Sequence, residues 1–289
     1  MCTVGCAKRS PHSTTTGAEP YVARRRLDAE LVRRNLARSR EHASQLIAAG
    51  RVTIGGATAT KAATQVETSA AVVVAKDDNE PDYVSRGGHK LAGALAAFTP
   101  LGLKVEGRRA LDAGASTGGF TDVLLRNGAA TVVAVDVGYG QLAWSLQSDD
   151  RVVIKDRTNV RELTLEHIDG EPADIIVGDL SFIPLGLVLP ALVRCAAPDA
   201  DLVLMVKPQF EVGKERLGTG GVVRSTQLRA ETVRTVAGQG AALGLGVMGV
   251  TASPLPGPSG NVEYFLWLRA GAPDLDPADV DRAVAEGPR

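Results

Sequence analysis

Apolar positions recur along this chain in two rhythms. Between residues 24 and 75 the pattern is mixed and short. Leu27, Leu31, Val32 and Leu36 fall on one helical face, and Ser39, with Glu41 in the following turn, opens a second helix that Gly50 closes. Residues 51–54 and 57–60 flank Gly55-Gly56, a two-residue hairpin turn, and residues 72–74 supply another strand. Further on, apolar runs at 109–111, 131–135, 152–154, 174–177, 202–206, 247–251 and 262–268 alternate with helical patterns. That alternation predicts a mostly parallel, Rossmann-like α/β sheet behind a small α+β domain.

Charge divides the chain along the same line. The net charge is -1 overall, yet residues 24–61 hold nine basic side chains against three acidic ones, the basic set being Arg24, Arg25, Arg26, Arg33, Arg34, Arg38, Arg40, Arg51 and Lys61. A positive patch of this density points to a polyanion such as folded RNA. Only Tyr21 among the 11 aromatic residues lies near it, so phosphate and shape contacts are expected to outweigh base stacking.

The expected organisation is a disordered leader at 1–23, an RNA-binding domain at 24–75, a charged linker at 76–84, a catalytic domain at 85–270 and a solvated acidic tail at 271–289. At 289 residues, with 44% hydrophobic and 22% charged residues, two folded domains fit the length. The longest apolar stretch, 183–197, is broken by Pro184, Pro190 and Arg194, so no membrane association is expected. The leader lacks the apolar segment of a signal peptide, which predicts a cytoplasmic protein. Cys2, Cys6 and Cys195 match no zinc spacing or disulfide framework, and no metal is expected.

The first strand of the larger domain runs into Asp112-Ala-Gly-Ala-Ser-Thr-Gly-Gly-Phe120 and then an apolar helix. Gly114, Gly118 and Gly119 allow close backbone approach to a ligand, with Ala115, Ser116 and Phe120 in the same turn. Their spacing is that of neither a dinucleotide fingerprint nor a phosphate-binding P-loop. Asp112 at the head of the loop would repel phosphate and attract a cation, which selects S-adenosylmethionine as the cofactor. Asp136, ending the second strand, is the candidate acceptor for its ribose hydroxyls. Taken singly, the glycines also read as a tight turn and Asp136 as a helix cap.

Chemistry in such sheets gathers at the carboxyl ends of the strands. Asp179 and Lys207 end two later strands, and Glu263 joins them if the last strand runs antiparallel. Strands about 4.8 Å apart would let the three converge on one substrate group. Asp179-Leu-Ser-Phe182 differs from the tetrapeptides of amine methylation, and Cys195 lies in an expected helix away from this edge, so a hydroxyl target remains. A ribose 2′-hydroxyl is a poor nucleophile, and Lys207 is the residue chosen to orient it and accept its proton. Each charged residue alone also reads as an ordinary ion pair or cap. The segment 213–224 is Gly-rich and basic, and reads equally as a lid or as a long mobile loop.

Several stretches together resemble the TlyA family of rRNA 2′-O-methyltransferases, also labelled hemolysins, whose catalytic domain is FtsJ-like. They are Arg26-Leu-Asp, Ser39-Arg-x-x-Ala43, Ser85-Arg-Gly-Gly-His-Lys-Leu91, Leu111 to Phe120, Gly178-Asp-Leu-Ser-Phe182 and Val206-Lys-Pro-Gln-Phe-Glu211. The resemblance implies a Lys-Asp-Lys-Glu tetrad of Lys90, Asp179, Lys207 and Glu263, with Lys90 disfavouring the Lys207 ammonium. The residues alone would leave Lys90 as a solvated lysine. The amino-terminal unit is similar to the RNA-binding fold of ribosomal protein S-four. The same resemblance implies an rRNA methyltransferase acting on a ribose, with cytidines of one or both ribosomal subunits as targets and rRNA or ribosomal subunits as partners. The rival expectations are a membrane-active cytolysin, as the hemolysin label suggests, and a catalytically silent ribosome-assembly factor.

Overall fold

A computed structural model describes Met1 and residues 24–34, 36–37, 40–75 and 81–288, the side chains of Glu41 and Thr219 excepted. The leader from residue 2, Arg38, the Ser39 cap and the charged run 76–80 lie outside the described residues. The chain divides into two compact units, Met1–Pro81 and Asp82–Arg289.

In the first unit, β1 (Arg24–Arg26) leads into α1 (Leu27–Arg33), followed by α2 (Arg40–Ala48), β2 (Val52–Ile54), β3 (Ala57–Thr58), β4 (Gln65–Glu67) and β5 (Val72–Val74). The Gly55-Gly56 turn joins β2 and β3 as an antiparallel pair, and β5 pairs the other side of β2. Both glycines have positive φ, which suits them to this turn. Gly50, also at positive φ, follows α2 and donates its N–H to Ile47 O at 3.0 Å. The pairing of β1 with β4 was not foreseen, because Arg24–Arg26 offers no apolar alternation to betray a strand. Leu27, Leu31, Leu46, Ile47 and Val52 form the buried core.

The second unit begins with α3 (Arg86–Phe98) and continues through β6 (Arg109–Ala113), α4 (Gly119–Arg126), β7 (Thr131–Val135), α5 (Trp144–Gln147), β8 (Val152–Lys155) and β9 (Ala173–Gly178). Then come α6 (Leu189–Arg194), β10 (Ala196–Val206), α7 (Pro208–Glu211), α8 (Thr226–Ala241), β11 (Leu245–Ala252), β12 (Tyr264–Ala270) and α9 (Pro277–Glu286). One seven-stranded sheet runs in the order β11, β12, β10, β9, β6, β7, β8. Strands β6 to β10 are parallel, and β12 is inserted antiparallel between β10 and β11. After β6 the chain builds outward to β7 and β8, then returns to place β9 on the other side of β6, so the strand order reverses there.

Period-two alternation sends neighbouring residues to opposite layers. Leu111, Val133, Ile176, Leu204 and Leu266 pack with residues of α6, α8 and α9, whereas Ala110, Val132, Ile175, Val203 and Phe265 pack with α3 and α4. Two expectations are corrected here. The acidic tail is not merely solvated, because Val280 and Ala283 of α9 are buried in the first layer, with Val284 packed beside them. Their i, i+3, i+4 spacing marks an apolar stripe that the acidic count obscured. Nor are residues 82–84 free linker: Val84 N–H donates to Asp122 Oδ2 at 2.9 Å, and Tyr83 meets the His89 ring edge-on and carries the Arg126 guanidinium 5.0 Å above its face.

Candidate active site

Three adjacent strands bring the later candidates to one sheet end. Gly178 pairs with Leu204 and Val206 with Tyr264. Asp179 therefore stands just past β9, Lys207 just past β10 and Glu263 just before the antiparallel β12. Lys90 arrives from α3, four and eight residues ahead of the buried Ala94 and Phe98, and so on the helix face turned inward.

The four groups form two ion pairs. Lys90 Nζ donates to Glu263 Oε2 at 2.5 Å, and both side chains are buried. Lys207 Nζ lies 2.6 Å from Asp179 Oδ1 and donates to Ser181 Oγ at 2.9 Å. Among the described residues Asp179 Oδ1 takes no aligned hydrogen bond, so its contact with Lys207 is ionic and the directed bond of that lysine goes to the serine. Gln209 Nε2 donates to Glu263 Oε1 at 3.3 Å. The near charged partner of each lysine is a carboxylate: Glu263, just before β12, for Lys90 of α3, and Asp179, just past the neighbouring β9, for Lys207.

Sequence reasoning gave no role to Ser181, Gln209, Phe182 and Phe210, although all four stand two or three residues after Asp179 or Lys207. Phe182 is 89% exposed at positive φ, and its ring centroid is 5.1 Å from that of Phe210, which itself lies 5.9 Å from Lys207 Nζ. An outward-facing phenylalanine at positive φ marks the place, a signal that lies in the backbone and not in the sequence.

The glycine loop adjoins this end of the sheet. Gly114 has φ +87°, and a Cβ there would lie 3.0 Å from Leu180 Cδ2 and 3.2 Å from the Asp179 carbonyl. Gly118, at φ +95°, precedes α4, and a Cβ on Gly119 would come within 2.7 Å of the Gly88 amide nitrogen. The loop is braced from β7: Gly114 and Ala115 donate to Val135 O, and Asp136 accepts from Ser116 N–H at 2.8 Å and Gly138 N–H at 2.7 Å. Ser116 itself holds positive φ, while Ala115 and Phe120 are buried.

Asp112 departs from expectation. It is fully buried and presents no open charge to the loop, and its Oδ2 accepts from Thr121 Oγ1 at 2.7 Å. Burial pushes its carboxyl up to about 7, and its Oδ1 has no hydrogen-bond partner among the described residues.

Comparison with known proteins bears on this arrangement. FtsJ-like methyltransferases match residues 83–270. The 16S/23S rRNA (cytidine-2′-O)-methyltransferase TlyA of Mycobacterium tuberculosis is 60% identical over 274 residues, covering 92% of this chain and 100% of that protein. This chain is an FtsJ-like methyltransferase of the TlyA family. A second member, Hemolysin A of Brachyspira hyodysenteriae, is 35% identical over 83% of this chain and 98% of its own. A solved hemolysin-labelled protein of Streptococcus thermophilus superposes with a TM-score of 0.72 at 36% identity, covering 91% of this chain and 95% of that one.

The S4 domain matches residues 25–72 of this TlyA-family chain. Arg24, Arg25, Arg26, Arg33 and Arg40 keep exposed side chains there, although several are held by acids. Asp28 accepts from Arg26 and Arg40, and Glu30 from Arg33 and Arg34. The Arg33 hydrogen bond is the main cause that holds the Glu30 carboxyl down at about 2, and the Arg26 hydrogen bond lowers the Asp28 carboxyl well below the usual carboxylate range. Arg34 differs from the other expected RNA contacts. Its side chain is mostly buried and donates to the carbonyls of Ala70 and Thr68, so it fastens the 67–70 turn. Arg51 Nε donates to Ala75 O at 3.0 Å.

Proposed function

We propose that this protein methylates the 2′-hydroxyl of a ribose in rRNA, with S-adenosylmethionine as methyl donor, and that the target is a cytidine of the small or large ribosomal subunit or of both. The observation that carries the reading is the meeting of the Lys207–Asp179 and Lys90–Glu263 pairs at the sheet end that the glycine loop adjoins.

The residues present suit the cofactor. The backbone at Gly114 approaches the Asp179 segment where a Cβ would crowd it, and the buried Oδ1 of Asp112, at the head of the loop, has no donor among the described residues. Gly114, Ala115, Ser116, Gly118, Gly119 and Phe120 would form the cradle, and Asp136 has oxygen lone pairs left over from its two loop bonds for the cofactor's ribose. S-adenosylmethionine supplies an electrophilic methyl group on a sulfonium.

Positioning is the main catalytic device. Lys207 holds the target hydroxyl and, as the neutral amine left once its ammonium has released a proton to solvent, takes the proton the hydroxyl sheds while the methyl passes from sulfonium to oxygen; Asp179 steers the lysine, and Lys90 offers its ammonium from a mount fixed by Glu263. The exposed Phe182 ring, packed against the half-buried Phe210 that neighbours Lys207, gives a base a surface to stack on. Arg24, Arg25, Arg26, Arg33, Arg40 and Arg51 hold RNA phosphates, and Arg38 is assigned the same task from sequence alone. The enzyme is read as acting in the cytoplasm on ribosomes or their subunits. The domain limits 24–75 and 85–270 and the tetrad belong to the same proposal.

Mapping ribose methylation in ribosomes from cells with and without the protein tests the reading. A cytidine 2′-O-methyl group that vanishes with the protein supports it, and an unchanged map refutes it.

A further inference from the structure

Glu263 is enclosed. Lys90 Nζ occupies Oε2, Gln209 Nε2 donates to Oε1, and a Cβ on Gly257 would lie 2.6 Å from that same oxygen. With 1% of the residue exposed, Glu263 can influence a substrate only through the side chains that hold it.

Gln209 is the unusual member of this group. Its orientation follows from chemistry, since turning the carboxamide over would set an acceptor against the Glu263 acceptor. Its Oε1 is then buried with no hydrogen-bond partner among the described residues. A buried amide oxygen without a donor is a stability cost, and an apolar side chain of equal length would remove it. The carboxamide is therefore retained at a disadvantage to folding, two residues after Lys207 and bonded to the acid that mounts Lys90.

We propose that Gln209 is a positioning residue for methyl transfer: by holding Glu263 from the side opposite Lys90, it fixes the direction in which the Lys90 ammonium is presented to the target ribose. This rests on the ribose reading above. The groups facing Glu263 are Lys90 and Gln209, with the Lys207–Asp179 pair on the neighbouring strand ends.

The test compares full-length wild type with Gln209→Met and Gln209→Glu. Single-turnover transfer from labelled S-adenosylmethionine is measured on 30S and 50S subunits from a strain lacking this modification, with ribose mapping of the product, melting temperature and cofactor affinity. Gln209→Met is expected to slow transfer about 10- to 100-fold, with cofactor affinity within about twofold and a melting temperature equal to or above wild type. The loss should fall on the transfer rate at saturating subunits and leave the half-saturating subunit concentration within about twofold, the split expected when presentation of the ribose and not its binding is impaired. Gln209→Glu, which sets a second carboxylate against Glu263 and removes the donor, should slow transfer at least as much. A wild-type rate in Gln209→Met overturns the inference, as does slow transfer with a matching loss of melting temperature or cofactor affinity. If wild type itself methylates no ribose, the ribose reading fails and takes this inference with it; undiminished ribose methylation by Gln209→Met sinks the inference alone.

Discussion

Lys90 and Glu263, 173 positions apart in the chain, form a buried ion pair with Nζ and Oε2 at 2.5 Å. The contact joins the first helix of the catalytic unit to the start of its last strand, next to the strand that leads to Lys207. Removing one partner strands the other charge where water does not reach it. Lys90→Ala should therefore destabilise the protein by about 3–5 kcal/mol. Lys90→Met combined with Glu263→Leu should recover much of that stability and no methyl transfer. Denaturant melts of the three proteins decide the point, and a double variant no more stable than Lys90→Ala would contradict the account.

The brace from Asp136 to the glycine loop has its own consequence. Asp136→Ala deletes the acceptor of the Ser116 and Gly138 amides, and with it the support for a serine at positive φ. Cofactor affinity measured by calorimetry should fall at least about tenfold, the equivalent of one or two hydrogen bonds to a charged group. Unchanged affinity would mean that the loop holds its shape without β7.

Acid and base should act on the two units in opposite senses. Glu30 is held at about 2 against an ordinary 4.5, so its contribution to the amino-terminal unit is full above pH 4.5 and is lost as pH falls through about 2. Asp112 is raised to about 7 from 3.8, so folding of the catalytic unit is favoured below pH 3.8 and loses this contribution as pH rises through about 7. Amide NMR signals of Leu31 and Val133 followed in urea across pH report the units separately. Asp112→Asn should flatten the dependence at Val133 between pH 4 and 7 and leave Leu31 unaffected.

The hemolysin label of some relatives suggests lysis, yet among the described residues no helix is long and apolar enough to cross a membrane. Protein freed of nucleic acid should release no dye from anionic liposomes at micromolar concentration. Release independent of S-adenosylmethionine would support a lytic activity.

Much of this architecture was legible in the sequence because it rests on period-two alternation and punctuation by glycine. Thr131–Val135 and the Gly55-Gly56 turn are where those patterns indicated. What escaped notice was governed by contacts distant in sequence. Lys90 looked solvated because lysine usually is, although its spacing to Ala94 and Phe98 set it on the buried face. Asp112 seemed an open charge because nothing local reveals that Thr121 covers it. Val280 and Ala283 were hidden among acids, and Arg34 was counted with the basic patch although its guanidinium is occupied by carbonyls of the 67–70 turn.

The central claim is that Lys207, mounted by Asp179 at the sheet end that the glycine loop adjoins, handles the proton of a ribose hydroxyl. The most direct measurement is methyl transfer by Lys207→Ala to unmodified ribosomal subunits, alongside its affinity for S-adenosylmethionine. The account predicts no detectable 2′-O-methylation with cofactor binding within about twofold of wild type, since the cradle residues 114–120 do not depend on Lys207 for any hydrogen bond described. Ribose methylation at the wild-type rate by Lys207→Ala would contradict it.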